Sequence, residues 1–150
     1  MLFERSVIMD VERDLLLAWV AGIVDGEGCL TLTSNGSISG FSPRLRISMT
    51  DQEAVERVAR IIGQGSVVRT KPQTPKHKPQ YVWELTCQKA VIAIKMFKPY
   101  LFIKDQQADI LIRYDEEVRC EFGQRPTLDQ IHLGKFLAEE IRKLNKRGPS

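Results

Sequence analysis

Val20-Ala21-Gly22-Ile23-Val24-Asp25-Gly26-Glu27-Gly28 is the stretch whose reading decides the fold. It closes the longest uncharged apolar run of the chain, Leu15 to Val24, and ends in two acids interleaved with glycines. The run reads as a helix that Asp10 can cap and that continues through Glu12 and Leu15 to about Asp25, where Gly26 and Gly28 turn the chain in a new direction. Such a helix is apolar nearly all round. A solvent-facing helix carries one polar side, so this one is expected to be covered twice, by its own domain and by something else. Ala18, Ala21 or Gly22, and Asp25 lie along one stripe, where small side chains permit a second helix to come close. That stripe is the expected dimer seam.

Outward from the helix, Cys29–Asn35 and Pro43–Met49 alternate as strands do, with Ser-Asn-Gly-Ser-Ile-Ser-Gly as turn material between them. In the second strand Arg44, Arg46 and Ser48 share one face and Leu45, Ile47 and Met49 the other, as the two-residue period requires. In the first, Thr31, Thr33 and Asn35 lie opposite Leu30 and Leu32. A helix over about Asp51–Ile62 follows, with Ala54, Val55, Val58, Ile61 and Ile62 at helical spacing and Gly63 as its stop. A second hairpin comes from Ser66–Lys71 and Gln80–Thr86, joined by a proline-rich, basic loop. Helices are then expected over about Lys89–Phe97, Lys104–Val118 and, capped by Thr127, Leu128–Asn145. The order predicts an α+β fold, αββαββα with extra helices, whose four-stranded antiparallel sheet is covered by helices on one face and polar on the other.

With 150 residues, 43% of them hydrophobic, the chain can bury one ordinary core, and it is read as a single domain with its centre at about 10–120 and a C-terminal helix at about 128–145. A net charge of +3 fits a nucleic-acid partner and fits many other proteins. Cys29, Cys87 and Cys120 lack C-x-x-C spacing and read as free thiols in a reducing compartment. The apolar run is too short to span a bilayer, and Glu4, Asp10, Glu12 and Asp14 precede it where a signal peptide is basic. A soluble intracellular protein is expected, with no membrane partner.

Val20–Gly28 resembles the signature of the LAGLIDADG homing endonucleases: Ala21, Gly22, Asp25 and Gly28 match it outright, and Val20, Ile23, Val24 and Glu27 are conservative variants. The resemblance, carried by the motif and by the helix–hairpin–helix–hairpin–helix order, covers roughly Leu15 to Glu116. It implies an intron-encoded, homodimeric nuclease that makes a double-strand cut in a long, roughly palindromic DNA target, in bacterial, archaeal or phage-host cytoplasm or in an organelle. It implies a divalent cation, Mg2+ with Ca2+ or Mn2+ as substitutes, on the Glu27 carboxylate and the Gly26 carbonyl. Asp25 is implied to be structural, at the helix end and the seam. Met49-Thr50-Asp51 resembles the junction whose third residue organises the attacking water. Pro99-Tyr-Leu-Phe-Ile-Lys104 resembles the segment that supplies a catalytic lysine, Lys104. The chain departs from the family at Asp51, often a glutamine there, and at Val55, where a basic residue is usual; Arg57 and Arg60 are both candidates to replace it.

The chemistry suits these residues. Phosphodiester hydrolysis needs a hard cation, a positioned water and a countercharge for the developing oxyanion, roles that fall to Glu27 with Gly26, to Asp51 and to Lys104. A two-stranded ribbon can enter the major groove, which makes Arg44 and Arg46 the leading DNA contacts, with Thr31, Thr33, Asn35, Ser48, Gln80, Val82 and Glu84 completing the surface. Arg69, Lys71, Lys76 and Lys78 are expected on phosphates, with the register of the third strand left open. Two other classes stay open: an RNA maturase that binds its own intron RNA, and a DNA-binding protein that no longer cuts. Glu27 and Lys104 together favour the nuclease, because a pure binder gains nothing from a carboxylate that repels phosphates.

Overall fold

The computed structural model describes residues 2–36, 40–121 and 123–146, with the side chains from Val7 onward. Its elements run α1 (Leu2–Glu27), β1 (Gly28–Ser34), β2 (Phe41–Met49), α2 (Gln52–Ile62), β3 (Val67–Thr70), β4 (Gln80–Thr86), α3 (Cys87–Phe97), a 3-10 turn (Lys98–Tyr100), α4 (Asp105–Glu117) and α5 (Leu128–Lys146). The four strands form one antiparallel sheet in the order β1-β2-β4-β3. Residues 37–39 of the expected first turn lie outside the described residues.

Strand alternation divides the sheet into two chemistries. Leu30, Leu45, Ile47, Trp83 and Leu85 point to the helices and are buried. They meet Val20, Ala21 and Val24 of α1, Val55, Val58 and Ile62 of α2, and Ile94 and Phe97 of α3. Burial of each large aliphatic side chain contributes about 1.5–3 kcal/mol. α5 is held against β1 by Asn145, whose amide donates to the Leu30 carbonyl at 3.0 Å, and Leu137 packs with Tyr114 of α4 and with Val118 just past its end.

Helix ends follow their expected signals. Asp51 caps α2 by accepting from the Ala54 amide at 3.1 Å, and Gly63 ends it in the left-handed region at φ 80°. Thr127 and Gln130 satisfy each other's amides reciprocally, as a capping box does. The start of α1 differs from expectation. Asp10 is not its cap but an interior residue, because Val7-Ile8-Met9 carries no breaker and the helix reaches back to Leu2. The first two strands are shifted by a residue or two as well, since pairing runs from Gly28↔Ile47 to Ser34↔Phe41 and leaves Pro43 inside β2. Among the described residues no helix is long and apolar enough to cross a membrane, and the three cysteines are unpaired.

α1 passes into β1 with no linker. A Cβ on Gly28 would come within 2.8 Å of the Val24 carbonyl oxygen and 2.9 Å of its Cα, backbone atoms that cannot step aside. Gly28→Ala is therefore expected to destabilise the chain by about 1–3 kcal/mol, read as a lower urea midpoint with an unchanged slope.

Candidate active site and nucleic-acid face

The centre of the site is a carboxylate held by backbone amides of its own chain. Asp25, half-buried in the last turn of α1, accepts from the backbone amides of Phe102 at 2.9 Å, Ile103 at 3.1 Å and Lys104 at 2.9 Å. Three donors converge on one anion, so the 101–104 segment is stapled to the helix end by charge-assisted bonds, each worth about 1.5–3 kcal/mol. Two further contacts brace the segment. Tyr100 is hydrogen-bonded to Asp14, which holds its hydroxyl above the ordinary tyrosine pKa. Lys98 reaches Asp109 at 2.9 Å and Asp105 at 3.2 Å, and hydrogen bonds to these two acids raise its pKa.

The staple delivers Lys104. Its ammonium returns to the same helix and donates to the carbonyls of Val24 at 3.0 Å and Asp25 at 2.7 Å. Those oxygens belong to the unsatisfied last turn, where a cation also meets the negative end of the helix dipole. Burial lowers the Lys104 pKa, and the charges of Asp25, Cys29 and Glu27 push in the opposite direction. An ammonium has three donors; two go to the helix, and one remains to face outward.

Glu27 ends α1 beside this lysine, exposed, and among the described residues no hydrogen bond or salt bridge engages its carboxylate. Gly26, also exposed, stands next to it. The structure thus brings Glu27, Gly26, Asp25 and Lys104 together. Asp51 lies at the exposed head of α2 with one carboxylate oxygen used in capping, and among the described residues it makes no hydrogen bond or ion pair with Glu27 or Lys104. Val55 is fully buried, so the core admits no basic group there; Arg57 lies over the Trp19 ring at 4.3 Å, and Arg60 is exposed.

The polar face of the sheet carries Cys29, Thr31 and Thr33 on β1, Arg44, Arg46 and Ser48 on β2, and Gln80, Val82 and Glu84 on β4. Glu84 organises its middle: it accepts from Arg44 at 2.7 Å and stands 4.0 Å from Arg46. Ser48 donates to Gln80 across the sheet. Asn35 lies past the end of β1, and its amide donates to the Phe41 carbonyl and the Ser42 hydroxyl, closing the hairpin. Lys71, Lys76 and Lys78 are exposed in the loop, and Lys71 and Lys78 line a groove with Arg46.

The structure sharpens three placements. Arg69 pairs with Tyr81 and therefore stands on the helix-covered side of the sheet, exposed on its edge strand; Val68 and Thr70 take the polar face beside Val82 and Gln80. The four-residue β3 gave too few alternations to fix that register in advance. Ala21 is 0% exposed within its own chain, so it belongs to the core; the outward stripe runs through Leu15, Ala18 and Gly22. The carboxylate of Asp25 accepts three amides of its own chain. Val68 and Cys29 were missed on the polar face, although strict alternation from Thr31 already placed Cys29 there.

This arrangement is the LAGLIDADG homing-endonuclease fold. The homing endonuclease I-CvuI, solved in complex with its target in the presence of calcium, superposes with a TM-score of 0.71 at 18% identity over 89% of this chain and 84% of that one. An archaeal intron-encoded homing endonuclease complexed with DNA gives 0.71 at 16% identity over 91% and 87%. The LAGLIDADG homing endonuclease I-GzeII, in complex with its DNA target, gives 0.54 at 15% identity, covering 87% of this chain but 44% of that chain. No family model matches the sequence, and none of the curated proteins does.

Removing the staple should release Lys104. Asp25→Ala is expected to cost about 2–4 kcal/mol and to speed hydrogen exchange at the Phe102, Ile103 and Lys104 amides above that of the α3 core. Unchanged protection of those three amides would show that the segment is held by something else.

Proposed function

We propose that the chain is a divalent-metal-dependent, site-specific DNA endonuclease that works as a homodimer on a long, roughly palindromic target. The observation that carries this reading is an uncommitted carboxylate, Glu27, held beside an anchored ammonium, Lys104, at the edge of a polar sheet face centred on Arg44 and Arg46. The DNA complexes of fold neighbours support the substrate, and the calcium and magnesium in those of I-CvuI support a divalent ion. A carboxylate and a neighbouring carbonyl are the hard oxygen donors that magnesium takes, waters and phosphate oxygens completing the shell. Glu27 and the Gly26 carbonyl would hold it.

When bound, the metal supplies Lewis-acid polarisation of the phosphoryl oxygen and lowers the pKa of the attacking water. Lys104 offers its third N–H to the oxygen that gains charge, pre-oriented by the two helix carbonyls. Asp51 has one oxygen free of the cap with which to orient a water. On the sheet, Arg44 and Arg46 suit guanine edges and Glu84 the amino group of cytosine, while Val68 and Val82 form an apolar patch suited to thymine methyls. Thr31, Thr33, Ser48 and Gln80 are adaptable polar neighbours. Lys71, Lys76 and Lys78 are placed for phosphates, in a loop the DNA backbone can reach.

Cutting both strands takes two such sites, which a two-fold dimer provides. Fold neighbours of which this chain spans 44% have room for a second unit in one chain. The outward stripe of α1 at Ala18 and Gly22 is the surface for it. A Cβ at Gly22 would meet nothing of its own chain within 4 Å, so the glycine is not required by internal packing.

Selection of cleavable sites from a randomised palindromic library with magnesium is the direct test; recovery of bound sites that are never cut overturns the nuclease. At a recovered site, Glu27→Gln is expected to abolish cleavage and keep binding, and undiminished nicking would refute the metal assignment. The rate should also fall on the alkaline side. Below its pKa Lys104 carries the charge, and because burial lowers that pKa from the ordinary 10.5, the charge is lost earlier than from an exposed lysine. In Lys104→Arg the guanidinium stays charged and the alkaline fall moves up in pH, at reduced rate.

A further inference from the structure

Arg44, Arg46 and Glu84 are the charged residues on the polar face of β2 and β4, the two inner strands of the sheet. Both arginines suit a guanine by chemistry, and the geometry separates them. Arg46 stands directly opposite Glu84, while Arg44 lies on the diagonal, opposite Thr86. Long side chains can reach across such a diagonal. Glu84 leans that way: it accepts from Arg44 Nη2 at 2.7 Å and stands 4.0 Å from Nη1 of its direct partner, Arg46.

A guanidinium takes guanine through two nitrogens at once. In Arg44, Nη2 is spent on Glu84, and Nε is buried without a hydrogen-bond partner among the described residues. That leaves Nη1 as its uncommitted nitrogen, one prong instead of two. Arg46 makes no hydrogen bond among the described residues and its side chain is 41% exposed, so its fork stays open. The carboxylate is divided as well. One oxygen of Glu84 faces both arginines, and the other accepts nothing among the described residues. A bare carboxylate here would repel phosphates; the charge of Arg44 offsets that repulsion and leaves an acceptor for the amino group of cytosine.

The place on the sheet gives the place on a target. On its other side Arg46 pairs with Cys29, two residues past Glu27. With strands about 4.8 Å apart, Glu84 stands about 10 Å from Cys29, about the rise of three base pairs. The pair therefore faces the inner part of a half-site, near the metal carboxylate.

We propose that Arg46 and Glu84 are the specificity-determining pair for the inner half-site, Arg46 taking a guanine and Glu84 the amino group of a cytosine. Arg44 is a positioning residue that holds Glu84 for this task and reads no base itself. This rests on the site-specific DNA reading above.

Binding selection of the full chain on a randomised palindromic duplex library in calcium tests it, since enrichment then needs no cleavage. The unsubstituted chain should enrich G·C pairs in the inner part of each half-site. Glu84→Gln should exchange the cytosine for adenine, which a side-chain amide takes with two hydrogen bonds, by at least about tenfold. Arg46→Ala should lose the guanine preference by a similar factor. Arg44→Ala should weaken the cytosine preference at no cost to other positions, and Arg44→Lys should restore part of it through its charge. The salt slope of affinity should stay unchanged in Arg44→Ala, as it would not if this residue met a phosphate. A merely structural loss would instead weaken all sequences alike. Unaltered base preferences in both Glu84→Gln and Arg46→Ala overturn the pair and leave site-specific binding standing. Loss of a guanine preference in Arg44→Ala makes that residue a reader and overturns its positioning role. A library that yields no enriched sequence overturns the site-specific reading and the pair together.

Discussion

The hydrogen bonds from three consecutive backbone amides to the Asp25 carboxylate are the constraint on which the rest of the site depends. They join segments far apart in sequence, the end of α1 and the entry to α4. Without them, the loop after the 3-10 turn would have no reason to bring Lys104 back under the helix. With them, the lysine caps the carbonyls that the turn at Gly28 leaves open, and the charge beside Glu27 is fixed by backbone and not by a long flexible stem. Phe102 shows how complete the pinning is. Its amide is held while its ring is 90% exposed, so this residue is ordered from its backbone side.

A second constraint is the alternation of the strands, which settles two problems at once. The residues that bury Trp83 and Ile47 against α2 and α3 force Glu84, Arg46 and Ser48 onto the opposite face. The polar face is thus the obligatory reverse of the core, and a one-residue slip would ruin both. Glu84 then tempers the charge it sits among: paired with Arg44 and near Arg46, it keeps the guanidinium groups at defined places until a ligand competes for them.

Much of this was legible in the sequence. The nine residues from Val20 to Gly28, the strict alternation of Arg44 to Met49, and the caps at Asp51 and Thr127 each state a local rule that the fold obeys. What was not legible had a physical cause. Ala21 and Gly22 are adjacent and both small, so spacing alone could not say which of them faces inward, and the core took Ala21. Arg69 depended on the register of a strand only four residues long. Asp25 could be read as structural from its position, but its partners are amides of residues whose side chains give no hint of the contact. Backbone donors are invisible to sequence patterns. The long start of α1 was hidden by Asp10, a good capping residue that here is simply an exposed helix residue.

Gly22 and Ala18 have one more consequence. α1 is a rigid rod with Glu27 at its tip, and between Gly22 and that tip there is little more than one helical turn. In a two-fold pair the gap between the two tips is then a fixed dimension, set by how closely two backbones approach at a glycine, about 8 Å at the short end of helix packing. The rods act as the jaws of a caliper. In the proposed two-fold nuclease the stagger between two cuts, and so the length of the single-stranded ends, would be gauged by the width of a side chain that is not there.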